Sequence, residues 1–439
     1  IGSTLTASDI TYDDVLYGTG CRYVNPTPDP SIPYTVVENG VINVTYTSQV
    51  TVTNIVKVIK AGDIEINRTN VAQEGKYVGD VISLGYAWYI NYNGALYAKE
   101  ANSSDYHQSF TLTENNQECE LTYTAKGITN IVFLEEAEDI DGFTRTTGSS
   151  ANTRCSMQAG GYASSGVTIT TLGPGKYILY ASVRGGGTTG SFTVTAGENE
   201  LINKPAHGYN ENHTSTEFTI TENTAIVATT PNNSNAYMFD LFYIYKTAEV
   251  VPLGTNGYAT FASPYALDLT SDAQTTAGVT AYKAAVSGTT VNFTLLNQKV
   301  PANTGILLKG TESATVSIPV ADSSTDVEGN EFLVNTSGAV FDAAANTTYY
   351  AMIKNSNPLT FGTFAPGTLA FPANKAYLAV GATGAKSLTA IFGDDVTGIS
   401  QVENVVSETS NAVYNLSGQR VSKPTKGLYI VNGKKVAIK

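Results

Sequence analysis

The chain has few charges, few sulfur atoms and few histidines. Only 14% of its 439 residues are charged, and it holds three cysteines and three histidines. Its net charge is −13, and a phosphate-binding surface needs clustered Lys and Arg instead, so we expect no nucleic-acid partner. No apolar run approaches the roughly 18 residues that would span a bilayer. The sequence therefore predicts no transmembrane segment.

Catalytic signatures are missing as well. The sequence contains no G-x-S-x-G, H-E-x-x-H or phosphate-binding loop, and no dinucleotide-binding fingerprint in which G-x-G-x-x-G joins a strand to a helix. Two carboxylates suffice for glycoside hydrolysis, but the modules expected here are small for the barrels and solenoids that usually carry that chemistry. We predict that the chain is not an enzyme, although it would suit the accessory part of a larger polysaccharide-active enzyme.

What the chain does contain is typical of short strands and polar turns. Gly (40 residues), Tyr (27 residues), Thr, Val and Asn recur throughout. β-Branched and aromatic side chains suit a pleated surface, and Gly and Asn suit turns. In "YAWYINYNGALYA", Asn93-Gly94 is typical of a tight hairpin turn. We predict an all-β fold of tandem antiparallel β-sandwich modules, jelly-roll or Ig-like, with a short C-terminal β domain.

The length suggests roughly three main domains. A proline-rich stretch and repeated motifs divide the chain further. The proline-rich stretch "NPTPDPSIP" ends the first segment, and paired echoes ("FTLTEN" and "FTITEN", "VPANTGILLKG" and "FPANKAYLAV") mark later ones. Cys21 and Cys119 could pair within the first domain, although unpaired thiols are the favoured alternative. The predicted segments are 1–33 (N-terminal strand and linker), 34–130 (small β module), 131–247 (jelly-roll module), 248–395 (sandwich or barrel) and 396–439 (connector and C-terminal segment).

An acidic cluster stands out in this weakly charged chain. "FLEEAEDI" places Glu135, Glu136, Glu138 and Asp139 where an apolar strand ends. If the strand continues, alternation puts Glu136 and Glu138 on one face, roughly 7 Å apart, where they repel. They need water, basic partners or a cation. A solvated strand end is the simplest interpretation of this stretch alone.

A second acid favours a bound cation over a solvated strand end. Asp240 interrupts the otherwise apolar strand "AYMFDLFYIYK", and a buried carboxylate is costly without compensation. An antiparallel neighbour carrying Glu136 and Glu138 would increase the cost unless a hard cation joined all three. Calcium accepts carboxylate and carbonyl oxygens at a flexible coordination number. We therefore expect a structural calcium ion held by these acids.

The same segment resembles a known family. "EAED" on an opening strand, a later "GGY", "GPGKYILYASVRGG" and a closing strand with an acid among apolar residues are similar to carbohydrate-binding modules of families 6 and 35. The resemblance covers roughly residues 131–247. It implies a jelly-roll sandwich, and calcium ligands at Glu136, Glu138 and Asp240.

The resemblance also implies where a sugar would bind. Sugars stack their C–H faces on aromatic rings while a few polar groups fix their orientation. The matching positions are Tyr162 in "GGYAS" and Asn233 or Asn235 in "PNNSNAY", and Tyr209 in "HGYNENH" is a further candidate. Trp88, with Tyr86 and Tyr92, is an alternative platform, unless that stripe is the packed face of a sheet.

The end of the chain carries a second resemblance. The last 31 residues hold six Lys and Arg and no acid, which suits a soluble edge hairpin. "VYNLSGQRV" and "GLYIVNGKKVAIK" are also similar to the C-terminal sorting segments of proteins exported by the type IX secretion system of Bacteroidota. The match rests on Gly427, Tyr429, Gly433, Lys434, Lys435 and Lys439. This resemblance implies an extracellular or cell-surface protein.

Together these patterns predict a non-catalytic extracellular protein that binds a polysaccharide or glycan through a calcium-stabilised sandwich. The start at Ile1, without an initiating Met, suggests a processed or truncated chain, and a catalytic domain upstream is one possible partner. The alternative is a structural adhesin or fibre subunit with no sugar ligand. Its partners would be other copies of the chain, reached by strand addition through the N-terminal segment.

Overall fold

A computed structural model describes most of the chain. It covers residues 2–6, 9, 13, 15–29, 34–99, 107–145, 161–185, 190–205, 211–231, 237–367, 370–381, 384–393, 413–415, 419–431 and 434–438. These residues form two compact units, Ile1–Ala390 and Ile391–Lys439. Strands dominate both, and the all-β prediction is confirmed. The described α-helix, Ser271–Ala277, is too short to cross a membrane.

The first part of the larger unit is built from eleven strands. They are β1 Thr4–Leu5, β2 Leu16–Gly18, β3 Cys21–Asp29, β4 Tyr34–Thr35, β5 Asn43–Ala61, β6 Ile64–Tyr77, β7 Val81–Gly85, β8 Tyr89–Tyr92, β9 Ala95–Ala98, β10 His107–Thr111 and β11 Gln117–Ala125. Seven of them form a sheet in the order β2-β3-β5-β11-β9-β8, with β6 also paired to β5. Its β5–β11 pair is parallel, whereas the other pairs are antiparallel.

The Asn-Gly hairpin is confirmed. Asn93 and Gly94 have φ angles of 50° and 78° and join β8 to β9 with Tyr92 opposite Ala95. Such left-handed positions are open to Gly and tolerated by Asn. The cysteine thiols that the structure describes, Cys21 and Cys119, are free, and Cys155 lies outside the described residues.

The middle part is a two-layer sandwich. Its strands are β12 Ile131–Glu136, β13 Thr144–Arg145, β14 Gly161–Tyr162, β15 Val167–Leu172, β16 Gly175–Gly185, β17 Ser191–Ala196, β18 Asn199–Pro205, β19 Glu211–Thr214, β20 Phe218–Ile220, β21 Thr224–Thr229 and β22 Tyr237–Pro252. One sheet has the order β13-β14-β22-β16-β19, with β12 on β22 and β20 on β16, and the other is β15-β21-β17-β18. Leu179 and Phe239 from the first sheet share a core with Phe192 and Ile226 from the second.

The last part of the larger unit is a curled sheet with a short helix. Its strands are β23 Tyr258–Phe261, β24 Leu267–Leu269, β25 Val279–Ser287, β26 Thr290–Leu295, β27 Gln298–Val300, β28 Ile306–Gly310, β29 Thr315–Pro319, β30 Phe332–Val334, β31 Thr347–Met352, β32 Thr360–Phe364, β33 Ala376–Gly381 and β34 Ser387–Phe392, with α1 at Ser271–Ala277. Nine of them follow the order β23-β28-β25-β26-β34-β32-β31-β33-β30.

The repeated Pro-Ala-Asn turns behave as the sequence echo predicts. Asn303 and Asn374 each have a φ of 60°, and they precede the apolar strands β28 and β33. The strand β22 meanwhile runs past residue 247 without a break and pairs with β29, Ala248 lying opposite Pro319. The middle and last parts of this unit therefore share a strand. The predicted segment boundaries stay a prediction.

The smaller unit contains a four-stranded antiparallel sheet. Its strands are β35 Val413–Tyr414, β36 Arg420–Val421, β37 Gly427–Val431 and β38 Lys434–Ile438, in the order β36-β35-β37-β38. Val431 pairs with Lys434, and the two residues between β37 and β38, Asn432 and Gly433, lie outside the described ones.

Candidate functional site

The predicted calcium ligands lie on neighbouring elements of the middle sandwich. β12 runs antiparallel to β22, with Glu136 opposite Leu241, so Glu136 sits one register position from Asp240. After Glu136 the chain turns into a 3-10 helix, Ala137–Asp139. Glu138 is therefore not on the strand, and the alternation that placed it on the same face as Glu136 does not apply to it.

Asp240 is buried at an irregularity of β22. Its exposure is 1%, and the pairing of β16 with β22 shifts where Ser182 faces Leu241 and Val183 faces Phe239. Asp240 is the extra residue of this β-bulge, a device that re-aims side chains near functional sites. Because burial of a carboxylate is expensive, this position favours a positively charged partner.

Glu136 borders the first part of the chain. Its side chain is half-buried, and its charge influences Tyr123 of β11. Burial raises the pKa of the Tyr123 hydroxyl, and the charges of Tyr86 and Glu136 raise it further. The Tyr123 hydroxyl also donates to the carbonyl oxygen of Ala87 at 2.9 Å. Glu136 therefore lies between the β-bulge of β22 and the first part of the chain.

The fit to a metal ion is partial. Glu136 and Asp240 lie at adjacent register positions of neighbouring strands, and carboxylates are oxygen donors of the kind that calcium prefers. Among the side chains that the structure describes, however, no group of three His, Cys, Asp or Glu is close enough to hold an ion. The Glu138 side chain, the predicted third ligand, lies outside the described side chains.

The predicted sugar-binding positions are only partly described. Tyr209, Asn233 and Asn235 lie outside the described residues, and Tyr162 is described in its backbone alone, in β14. Gly161, next to Tyr162, pairs with Phe239, which adjoins Asp240. Register therefore places the β14 backbone beside the bulge of β22.

The described residues that flank the other candidates lie at the same end of the sandwich. In one sheet Pro205 pairs with Ser191 and Thr229 with Thr193. In the other sheet Glu211 pairs with Val183, which itself pairs with Phe239. The described residues on either side of 206–210 and of 232–236 thus lie at the sandwich end that holds Asp240.

A histidine at this end was missed by the sequence analysis. The Nε2 atom of His213 lies 3.3 Å from Glu211 Oε2, and the His213 side chain is 13% exposed. Burial lowers the His213 pKa and outweighs the opposing effect of Glu211. The sequence Glu-Asn-His could have indicated this pair, because alternate side chains of a strand share a face and Glu211 and His213 are two residues apart.

One face of this sandwich is covered by the first part of the chain. Tyr180 and Tyr243 stack with ring centroids 4.4 Å apart, and Tyr89 of β8 packs against both. Leu96 of the same hairpin joins this cluster. This face of the sandwich is therefore packed against the β8–β9 hairpin.

Trp88, the alternative sugar platform, lies in a packed setting. It is half-buried and packs on the cluster of Tyr86, Leu121 and Tyr123, with its ring edge-on to Tyr89 at 6.4 Å. This is the packed-sheet arrangement that the sequence left open as the alternative. A sugar contact by Trp88 stays a prediction.

A second polar site joins the middle and last parts of the larger unit. Lys246 Nζ lies 2.7 Å from Glu249 Oε2 and donates to the Pro174 carbonyl at 3.2 Å, and Ser263 Oγ donates to Glu249 Oε1 at 2.6 Å. The Lys246 and Glu249 side chains are 9% and 8% exposed. The ammonium also lies over the rings of Tyr177 and Tyr265, at 5.4 and 5.2 Å.

This network borders a cavity of about 410 Å³. Both charged groups already interact with other protein groups, so few of their hydrogen-bonding positions remain for a ligand. The arrangement is that of a structural junction, in which Lys246 ties β22 to the turn at Pro174 and Glu249 ties β22 to Ser263.

Comparisons with known proteins do not assign a family. No protein-family model matches the chain, and no curated protein matches it. Among solved structures, a xanthan lyase from Paenibacillus is similar to this chain at 11% identity and a TM-score of 0.21, over 53% of this chain. The match spans 33% of that lyase. A TM-score of this size does not establish a shared fold.

Proposed function

We propose that the chain is a non-catalytic, extracellular accessory or surface protein that attaches to glycan through its middle sandwich. Glycan would bind at the loop end, with Tyr162 and Tyr209 as stacking surfaces and Asn233 and Asn235 as hydrogen-bonding groups. These residue types suit sugars because aromatic rings take C–H faces and amides fix hydroxyl groups.

One observation carries this proposal. The strand ends that flank all four candidates converge on the end of the sandwich that holds the buried Asp240. The aromatic face of Tyr180 and Tyr243 is packed against the first part of the chain, so we place the glycan at the loop end and not on that face.

The proposal includes a structural calcium ion. Glu136, Glu138 and Asp240 would supply carboxylate oxygens and would join the end of β12 to β22. When bound, the ion would neutralise the buried charge of Asp240 and fix the strands from which the binding segments depart. Its role would be to hold the site in shape rather than to contact the sugar.

A glycan array with matched tyrosine variants tests the attachment. We expect the full chain to be retained on at least one glycan, and Tyr162→Ala to weaken that binding roughly tenfold or more, since loss of a stacking ring and its buried area removes about 1.5 kcal/mol or more. Tyr17→Ala is the control, because Tyr17 is 75% exposed and lies in β2. Equal retention of both variants would contradict the proposed site.

Assembly into fibres is the second candidate, and an exposed edge favours it. β2 is a terminal strand of its sheet, and its Leu16 and Tyr17 side chains are 37% and 75% exposed. An unpaired strand edge with apolar side chains is a template for another chain. Assembly predicts concentration-dependent oligomers in light scattering that Tyr17→Asp removes. A monomer at all concentrations would exclude it.

A further inference from the structure

The curled sheet of the last part closes on itself along a seam. β23 is a terminal strand, and it approaches β33 at the other side of the curl. Beyond the C-terminal end of β23, the amide of Ala262 donates to the carbonyl oxygen of Asn374 at 3.0 Å. Beyond the other end, Asn256 Nδ2 donates to the Ser356 carbonyl at 3.0 Å. The seam is therefore hydrogen-bonded at both ends.

A pocket lies along this seam. Its volume is about 470 Å³, within the roughly 300–1,000 Å³ typical of small-molecule sites. We call it the seam pocket. Its lining is mainly apolar and includes Leu253, Tyr258, Met352, Lys354, Phe371 and Lys375. Tyr258 and Phe371 contribute half-buried aromatic rings from separate segments of the chain.

Two lysines give the seam pocket its charge. Burial lowers the pKa of the Lys375 ammonium, and the positive charge of Lys354 lowers it further. Among the described residues, neither lysine forms an ion pair. In a chain with a net charge of −13, two neighbouring cations that pair with no described acid form, at an apolar pocket, an environment suited to an anion.

We propose that the seam pocket binds a small organic carboxylate that also carries an apolar or C–H-rich face. The carboxylate would pair with Lys375, with Lys354 adding to the attraction, and the face would lie on Tyr258 and Phe371. A uronic acid sugar and an aromatic acid share this chemistry. The seam pocket is separate from the loop end of the middle sandwich. This proposal can therefore fail without contradicting the glycan attachment proposed above, and the reverse also holds.

Titration calorimetry on the full chain tests the proposal with three probes. Glucuronate represents the acidic sugars, phenylacetate the aromatic acids, and glucose the same sugar ring without a carboxylate. We expect glucuronate or phenylacetate to bind and glucose not to bind. The carboxylate probe that binds identifies the source. Binding of neither carboxylate at millimolar concentration, or equal binding of glucose and glucuronate, would overturn the proposal.

A lysine variant with a matched control locates the binding. Lys375→Met keeps the length and apolar contacts of the side chain but removes its charge, so we expect the probe to bind roughly tenfold more weakly or worse. Lys386→Met removes an exposed lysine of the same region, outside the pocket lining, and should leave binding unchanged. Unchanged binding in Lys375→Met would place the ligand elsewhere and contradict the assignment.

The same variant has a second, ligand-free readout. Because the Lys375 pKa is lowered on folding, the unfolded chain binds this proton more tightly, and stability rises with pH from the folded pKa up to the ordinary value. Lys375→Met should therefore unfold at a higher temperature than the native chain at pH 7. Carboxylate binding should weaken as the pH rises through the lowered pKa, since only the ammonium form pairs with the probe. Pocket binding that is independent of pH up to pH 10 would contradict this role.

Discussion

Lys246→Met is expected to lower the free energy of unfolding by about 3–5 kcal/mol, because removal of one partner strands a buried charge. Glu249 would keep its hydrogen bond from Ser263 but lose the ammonium at 2.7 Å. Lys246 also holds the Pro174 carbonyl and lies over two tyrosine rings. The loss should appear as a lower midpoint of urea unfolding, followed by circular dichroism.

Two further variants separate the charge from the packing. In Lys246→Met/Glu249→Leu both charges are gone, and apolar replacement of a buried pair is often neutral or stabilising, so much of the lost stability should return. Lys299→Met breaks the more exposed pair with Asp322 (3.0 Å apart, side chains 37% and 67% exposed) and should cost far less stability, because water screens an exposed ion pair. If Lys246→Met cost no more than Lys299→Met, the junction would not depend on this pair.

Chelation is expected to produce the second large effect. If calcium binds Asp240, Glu136 and Glu138, then EDTA should lower the melting temperature of the native chain. An ion at a hundred times its dissociation constant stabilises a fold by about 2.7 kcal/mol. Asp240→Asn removes a ligand charge, so its melting temperature should no longer respond to EDTA or to added calcium.

The comparison in calcium has a definite direction as well. Asp240→Asn replaces a 1% exposed carboxylate by a neutral amide of nearly the same shape and so removes one ligand charge. The variant should therefore be less stable than the native chain in calcium, and the difference between the two should shrink in EDTA. Asp342→Asn, at an exposed position, is the control and should respond to EDTA as the native chain does. No melting shift in the native chain would remove the calcium ion from the account.

Local patterns in the sequence predicted local structure well. The Asn93-Gly94 turn and the paired Pro-Ala-Asn turns were predictable because each depends on a residue that tolerates positive φ. The burial of Asp240 followed from its apolar neighbours, whereas its convergence with Glu136 and Glu138 on an ion stays a prediction. These inferences need only a few adjacent residues and the period of a strand.

Features that depend on distant segments were not predictable in this way. The bulge at Asp240 and the turn that carries Glu138 off its strand arise from how β12 and β16 meet β22. Lys246, Glu249 and Ser263 look like ordinary surface residues in the sequence, and their burial depends on β22 continuing past the middle sandwich to pair with β29. The seam pocket likewise exists because the sheet curls until Tyr258 and Lys375 line the same space.

Hydrogen–deuterium exchange of the full chain with its array-selected glycan tests the central claim most directly. Glycan bound at the loop end of the middle sandwich should slow amide exchange in segments 161–163, 206–213 and 232–238 and leave β23 and β33 unchanged. Protection confined to the first part of the chain or to the seam pocket, with none in those three segments, would contradict the account.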